Sequence, residues 1–163
     1  RPRWTRLLPW VISGACAAAL LVTLVINRPS RSDPARERAQ LLASAPDVIR
    51  AKWDGGKTPI PGAGGDVVWS PSEQRGFMRF EGLRVNDPTV EQYQLWIFDR
   101  NQKKENPVDG GVFDIPATGE VVVPIRAKLN VQDVYLFAVT VEKPGGVVVS
   151  SQERLPLVAE VKR

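Results

Sequence analysis

Histidine is missing from the sequence, and cysteine occurs once, at Cys16. Zinc sites built from Cys and His are therefore excluded within these residues. So are a catalytic triad that uses His and a Cys–His nucleophile pair. A lone cysteine also excludes an intramolecular disulfide, although a secreted domain of this size folds without one. With the remaining acid–base residues scattered, no nucleophile, base and orienting group can be assembled. Neither an enzyme, a metal nor a cofactor is expected.

Long uncharged stretches are equally scarce, with a single exception. Residues 7–26, "LLPWVISGACAAALLVTLVI", carry no charge. Twenty helical residues rise about 30 Å, the hydrocarbon thickness of a bilayer. Pro9 falls in the first turn, where a missing N–H costs little. Trp4 and Trp10 lie near one end, as interfacial aromatics do. A cleaved signal peptide would have a shorter apolar stretch, of about 7–15 residues. A lipoprotein signal would end at Cys16, but the apolar run continues for ten residues beyond it. A single retained transmembrane helix is expected, with residues 1–6 as its cytoplasmic flank. Arg1, Arg3 and Arg6 crowd that flank, which the positive-inside rule places in the cytoplasm. The chain begins with Arg and not Met, so a segment ahead of it is expected.

The 22 Lys and Arg exceed the 18 Asp and Glu by four. Much of this excess precedes residue 40, at Arg1, Arg3, Arg6, Arg28, Arg31, Arg36 and Arg38. It argues for contact with a membrane surface and against a nucleic-acid face on the remainder.

After the apolar run, residues 27–65 are expected to be a juxtamembrane helix and linker. Asp33 before Pro34 has the form of an N-cap followed by proline at the first helical position. A short helix over residues 35–45 follows, expected as a solvated spacer. The segment "DGGKTPIPGAGGD", residues 54–66, holds five Gly and two Pro and is expected to be a loop. It lacks the Gly-Lys-Ser/Thr ending of a phosphate-binding loop, and no long helical pattern follows. From residue 66 to 163, short strands alternate with Gly/Pro turns and no crossover helix intervenes. The expected class is mainly β, an antiparallel β-sandwich. Its strands include "GFMRFEGL", "YQLWIFDR", "GVFDI", "DVYLFAVTVE", "VVVS" at 147–150 and "LPLVAEV". In "DVYLFAVTVE", Tyr135, Phe137, Val139 and Val141 are expected to share one face. "VVVPI" contains Pro124 and is expected at a sheet edge.

The stretch at residues 93–98 is apolar on both faces. Trp96 is therefore either a core residue of an interior strand or a platform for a carbohydrate or peptide. Burying Tyr93 and Trp96 would remove roughly 150–250 Å² each from water, worth several kcal/mol at about 25 cal/mol per Å². That magnitude favours the core.

Three motifs occur in this order: "YQLWIFD", "DGGVFDI" and "FAVTVEKPGG". With the upstream "LLASAPDV" and the apolar run before it, they resemble the carboxy-terminal region of the anti-sigma-K factor family. The matching residues are Tyr93, Gln94, Leu95 and Trp96; Gly111 and Phe113; and Val139, Thr140, Glu142, Gly145 and Gly146. None is of a catalytic kind. Gln94 and Glu142 are suited to satisfy backbone groups, and Gly145–Gly146 to make a turn with positive φ. The resemblance implies a single-pass regulator of an extracytoplasmic-function sigma factor. A cytoplasmic part would hold the sigma factor from RNA polymerase, the β domain would lie outside the cytoplasm, and regulatory proteases would release the sigma factor. The implied partners are thus the lipid bilayer, the sigma factor and those proteases, with no nucleic acid. The sigma-binding part, often a small zinc-binding helical domain, would be an amino-terminal segment not contained here. The tail "VVVSSQERLPLVAEV" departs from the family pattern. The alternative is an envelope-anchored β-sandwich that binds a ligand or the cell wall.

Overall fold

The computed structural model describes residues 33–103 and 106–162. The expected flank at 1–6 and membrane helix at 7–26 lie outside them. Among the described residues, no helix is long and apolar enough to cross a membrane.

Helix α1, Pro34–Ser44, begins as its sequence dictates. The Asp33 carboxylate accepts from the Ala35 N–H at 3.0 Å and the Arg36 N–H at 3.4 Å, satisfying two donors that the helix leaves free. The helix is not a solvated spacer, however. Leu41 is fully buried against Val68 and Phe77, so α1 lies on a sheet.

Nine strands follow: β1 (Ile49–Lys52), β2 (Asp54–Gly55), β3 (Gly64–Ser70), β4 (Arg75–Glu81), β5 (Gln92–Asp99), β6 (Val108–Phe113), β7 (Val121–Pro124), β8 (Val134–Glu142) and β9 (Leu157–Glu160). They form two antiparallel sheets, ordered β1-β3-β4-β7 and β2-β9-β8-β5-β6. The mainly β class expected from the alternation is what the chain adopts. Pro124 sits on β7, an edge strand, where its missing N–H leaves no gap in the sheet. The β3–β4 hairpin is held by Gln74, which adopts a left-handed φ of 49°. Its amide donates to Pro71 O at 2.6 Å and Val131 O at 2.7 Å, and accepts from the Val131 N–H at 2.9 Å.

The core lies between the sheets. Val67, Trp69, Met78 and Phe80 face Tyr93, Leu95, Ile97, Phe137, Val139 and Leu157. Stacked rings join the layers, from Trp53 to Phe80 (centroids 5.5 Å apart), Phe80 to Phe113 (5.3 Å) and Phe113 to Tyr93 (5.6 Å). Such offset pairs add to the area they bury.

Three further local expectations differ from what is found. Strands start before residue 66: β1, β2 and the first residues of β3 occupy part of the expected linker. Their strand character is hidden because "IRAK" is half polar and "GG" has no side chains to alternate. Residues 147–150 form no strand, and the Val147 N–H and C=O bond to the Gln94 side chain in place of a neighbouring strand. Finally, Tyr135 does not share a face with Phe137. Phe98 pairs with Leu136 and Asp99 with Val134, a bulge that skips Tyr135 and turns it outward against Phe98.

Candidate functional site

Part of the motif, Gln94, Trp96, Thr140 and Glu142 with the Gly145–Gly146 turn, meets on the outward face of the five-stranded sheet. Along β5 the side chains alternate: Tyr93, Leu95 and Ile97 point into the core, while Gln92, Gln94, Trp96 and Phe98 point away from it. Residues 143–155 cross that outer face and bury what lies beneath. Gln94 is only 1% exposed as a result.

Gln94 works as a backbone mimic. Its Oε1 accepts from the Val147 N–H at 2.9 Å, and its Nε2 donates to Val147 O at 3.0 Å. One amide thereby satisfies both polar groups of a residue that has no strand partner. The Nε2 also donates to Asp109 Oδ1 at 3.2 Å. Asp109 reaches it because β6 bulges: Leu95 pairs with Gly111 and Trp96 with Asp109, skipping Gly110. The bulge requires glycine twice. A Cβ on Gly110 would stand 2.5 Å from Leu95 Cδ2, and Gly111 has a φ of 107°. Asp109 Oδ1 closes the bulge by accepting the Gly111 N–H at 2.8 Å.

The glycine pair after β8 completes the clamp. Gly145 and Gly146 have φ of 84° and 74°, as expected for this turn. The Gly145 N–H donates to Gln92 Oε1 at 2.8 Å. A Cβ on Gly146 would lie 2.6 Å from Val112 Cγ2 and 2.7 Å from Gln94 Oε1, so the loop approaches the sheet this closely only with glycine there.

Trp96 is 2% exposed. Its indole is packed with Phe98, Ala138 and Leu155, and its Nε1 donates to the buried Thr140 hydroxyl at 2.9 Å. It is a core residue, but of a small second core under the crossing segment and not of the main one. Glu142 does not satisfy a backbone group as expected. It accepts from the Ser150 hydroxyl at 2.5 Å and so ties down the far end of the loop. Leu95, Phe113 and Val139 belong to the main core. So does Tyr93, whose hydroxyl donates to Arg84 O at 2.9 Å and whose burial pushes its pKa up.

Gln92 and Asp109 complete the clamp and were not singled out from the sequence. The spacing of Gln92 and Gln94, two apart on one strand, was the available sign that they share a face. Beside the clamp, a cavity of about 240 Å³ lies between Trp96, Asn106, Pro107, residues 148–150 and Gln152. Among the described residues, no group of three His, Cys, Asp or Glu is placed to hold a metal ion.

No curated protein and no solved structure matches the chain. Residues 12–153 do match a family model, that of the anti-sigma-K factor RskA, C-terminal region. The match takes in every clamp residue from Gln92 to Ser150. The chain belongs to the anti-sigma-K factor family, and what it carries is that family's C-terminal region.

Proposed function

We propose that this chain is the membrane-anchored sensor part of an anti-sigma factor. Residues 7–26 cross the bilayer once, and the β-sandwich lies outside the cytoplasm. The sigma factor, one of the extracytoplasmic-function class, is held on the cytoplasmic side. The domain acts by conformation and protein contact, not by catalysis, and proteases of the envelope cut the chain to release the sigma factor.

One observation carries this reading: the family match begins at residue 12, inside the uncharged run, and extends to residue 153. That residues 12–26 of the apolar run fall within the match supports reading the run as belonging to this family region. Its twenty uncharged residues have the length of a bilayer span.

Two measurements test it. A phosphatase active only outside the cytoplasm, fused after Arg163, is expected to be active; activity only from a cytoplasmic reporter would refute the topology. Deleting the reading frame in its host is expected to raise transcription of one sigma-factor regulon. An unchanged transcript profile with an outward-facing domain would leave the envelope-anchored binding module as the better reading.

A further inference from the structure

A cavity of about 300 Å³ opens where β5 begins. Residues of the loops after β2 and β4 and of the segment before β9 wall it, together with Tyr93 and Val141, which pair across β5 and β8. Backbone bonds hold these segments together. The Gly56 N–H donates to Pro156 O at 3.0 Å, the Thr58 N–H to Leu155 O at 3.1 Å and the Val141 N–H to Arg154 O at 2.9 Å. Two glycines permit the approach. A Cβ would stand 2.2 Å from Leu155 O if placed on Gly56, and 2.2 Å from Gly62 O if placed on Gly82. The walls are thus fixed without a ligand, and a preformed site loses less to ordering when it binds.

The lining is apolar with a few charges. Ile60 and Val141 pack on the main core, and Val85, also on the cavity, is 50% exposed. The charged groups are Arg84, Arg154 and Glu91. Arg154 donates to Glu91 at 2.5 Å, so these two neutralise each other. The Arg84 guanidinium makes no hydrogen bond or ion pair among the described residues. One positive charge is therefore left over. The loop that carries it is held in place, since Arg84 O accepts from the Tyr93 hydroxyl at 2.9 Å. Burial pushes the Tyr93 pKa up, so the phenol is neutral and does not repel an anion.

A planar guanidinium offers parallel N–H donors that match a carboxylate. A single surplus charge suits a monoanion better than a phosphate group, which carries about −1.5 to −2. An apolar cavity of about 150 Å³ takes up benzene, so twice that volume admits a short acyl chain or one apolar side chain with its carboxylate. We propose that this cavity is a binding site for a monocarboxylate on a short apolar stem. Arg84 pairs with the carboxylate, and Ile60, Val85 and Val141 cover the stem. A free short-chain acid and the carboxy end of a peptide with an apolar last residue share this chemistry. Arg84 follows β4 of one sheet and Pro156 precedes β9 of the other, so a ligand held by both joins the two layers at this end. The inference deepens the sensor reading above and rests on it for what the ligand does in the cell.

The test uses the full chain, isotope-labelled, in phospholipid nanodiscs, with amide NMR shifts at Thr58, Val85 and Arg154 as the readout. Hexanoate is titrated as the free acid, and N-acetylated alanyl-leucine as the peptide end. Hexanol and the carboxamide of the same dipeptide are their uncharged controls. Saturable shifts are expected from at least one carboxylate, with a Kd of about 0.1–1 mM, within reach of a ligand of so few atoms. The tighter of the two identifies the source. Its uncharged control is expected to bind about tenfold more weakly, and Arg84→Gln to weaken the carboxylate by about the same factor while leaving the control unchanged. The Arg84 side chain supports no contact in the fold, so the amides of Leu95 and Phe137 are expected to keep the parent's shifts in that variant. Arg100→Gln, which breaks the pair with Asp133 at the far end of β5, is expected to leave binding as it is. No saturable shift from either carboxylate, equal binding of acid and uncharged control, or an unchanged Kd in Arg84→Gln would overturn the site. Failure of the anti-sigma reading appears elsewhere, as unchanged transcription on deletion.

Discussion

Replacing Gln94 with leucine is the sharpest test of the clamp. The side chains are close in volume, so the loss falls on hydrogen bonds more than on packing. Three are removed: two to the Val147 backbone and one to Asp109. A neutral bond contributes about 0.5–1.5 kcal/mol net, and one to a charged group about 1.5–3 kcal/mol. The total is about 2.5–6 kcal/mol. Leucine returns part of this through apolar burial, at roughly 25 cal/mol per Å², which leaves a net loss of about 2–4 kcal/mol. For a domain of this size the melting temperature should fall by about 8–15 °C. The pattern matters as much as the size. Amides of Gly145 and Val147 should exchange far faster, while Ile97 and Phe137, in the main core, lose only what global destabilisation takes from them. Calorimetry and amide exchange on the purified chain read both. A fall of under about 3 °C with Val147 still protected would refute the claim that Gln94 holds the crossing segment.

Trp96→Ala should cost about 3–5 kcal/mol, through the cavity beneath residues 147–155 and an unpaired Thr140 hydroxyl; a melting temperature within about 2 °C of the parent would contradict its burial. Gly146→Ala places a methyl against Val112 and Gln94 in a left-handed backbone, and should destabilise by about 1–3 kcal/mol, whereas Gly119→Ala meets no atom within 4 Å and should show only its backbone strain. Hydrogen bonds, first from the Ser70 hydroxyl, hold the Asp47 carboxyl below its ordinary value of 3.8. The native state thus releases this proton more readily than the unfolded chain does, so the stabilisation is present above that value and disappears as pH falls through the lowered one. Exchange at the Leu41 amide, corrected for intrinsic rate, should accelerate over that acidic window before exchange at Leu95 does. Equal acceleration at both would show that Asp47 does not anchor α1.

Features that depend on neighbours along the chain were legible without coordinates. The cap at Asp33 followed by Pro34, the β class from short alternating runs, the edge position of Pro124 and the positive-φ turn at Gly145–Gly146 each follow from local sterics and hydrogen-bonding groups. The alternation in β5 likewise made both faces apolar and placed Trp96 in a core. Which core, and what covers it, depends on residues more than fifty positions away, because the segment over Trp96 is held by Gln94 bonding to Val147. Tertiary structure alone decided that Tyr135 turns outward, since a bulge is a mismatch between two strands and neither sequence shows it. It also decided that α1 is docked. Leu41 on a mostly polar helix carries little periodic signal, and its burial exists only because Val68 and Phe77 present an apolar patch on the outside of a sheet. Composition and local geometry determine which elements form; where a weak apolar stripe or a buried amide finds its partner is set by packing between segments distant in sequence, which no local pattern encodes.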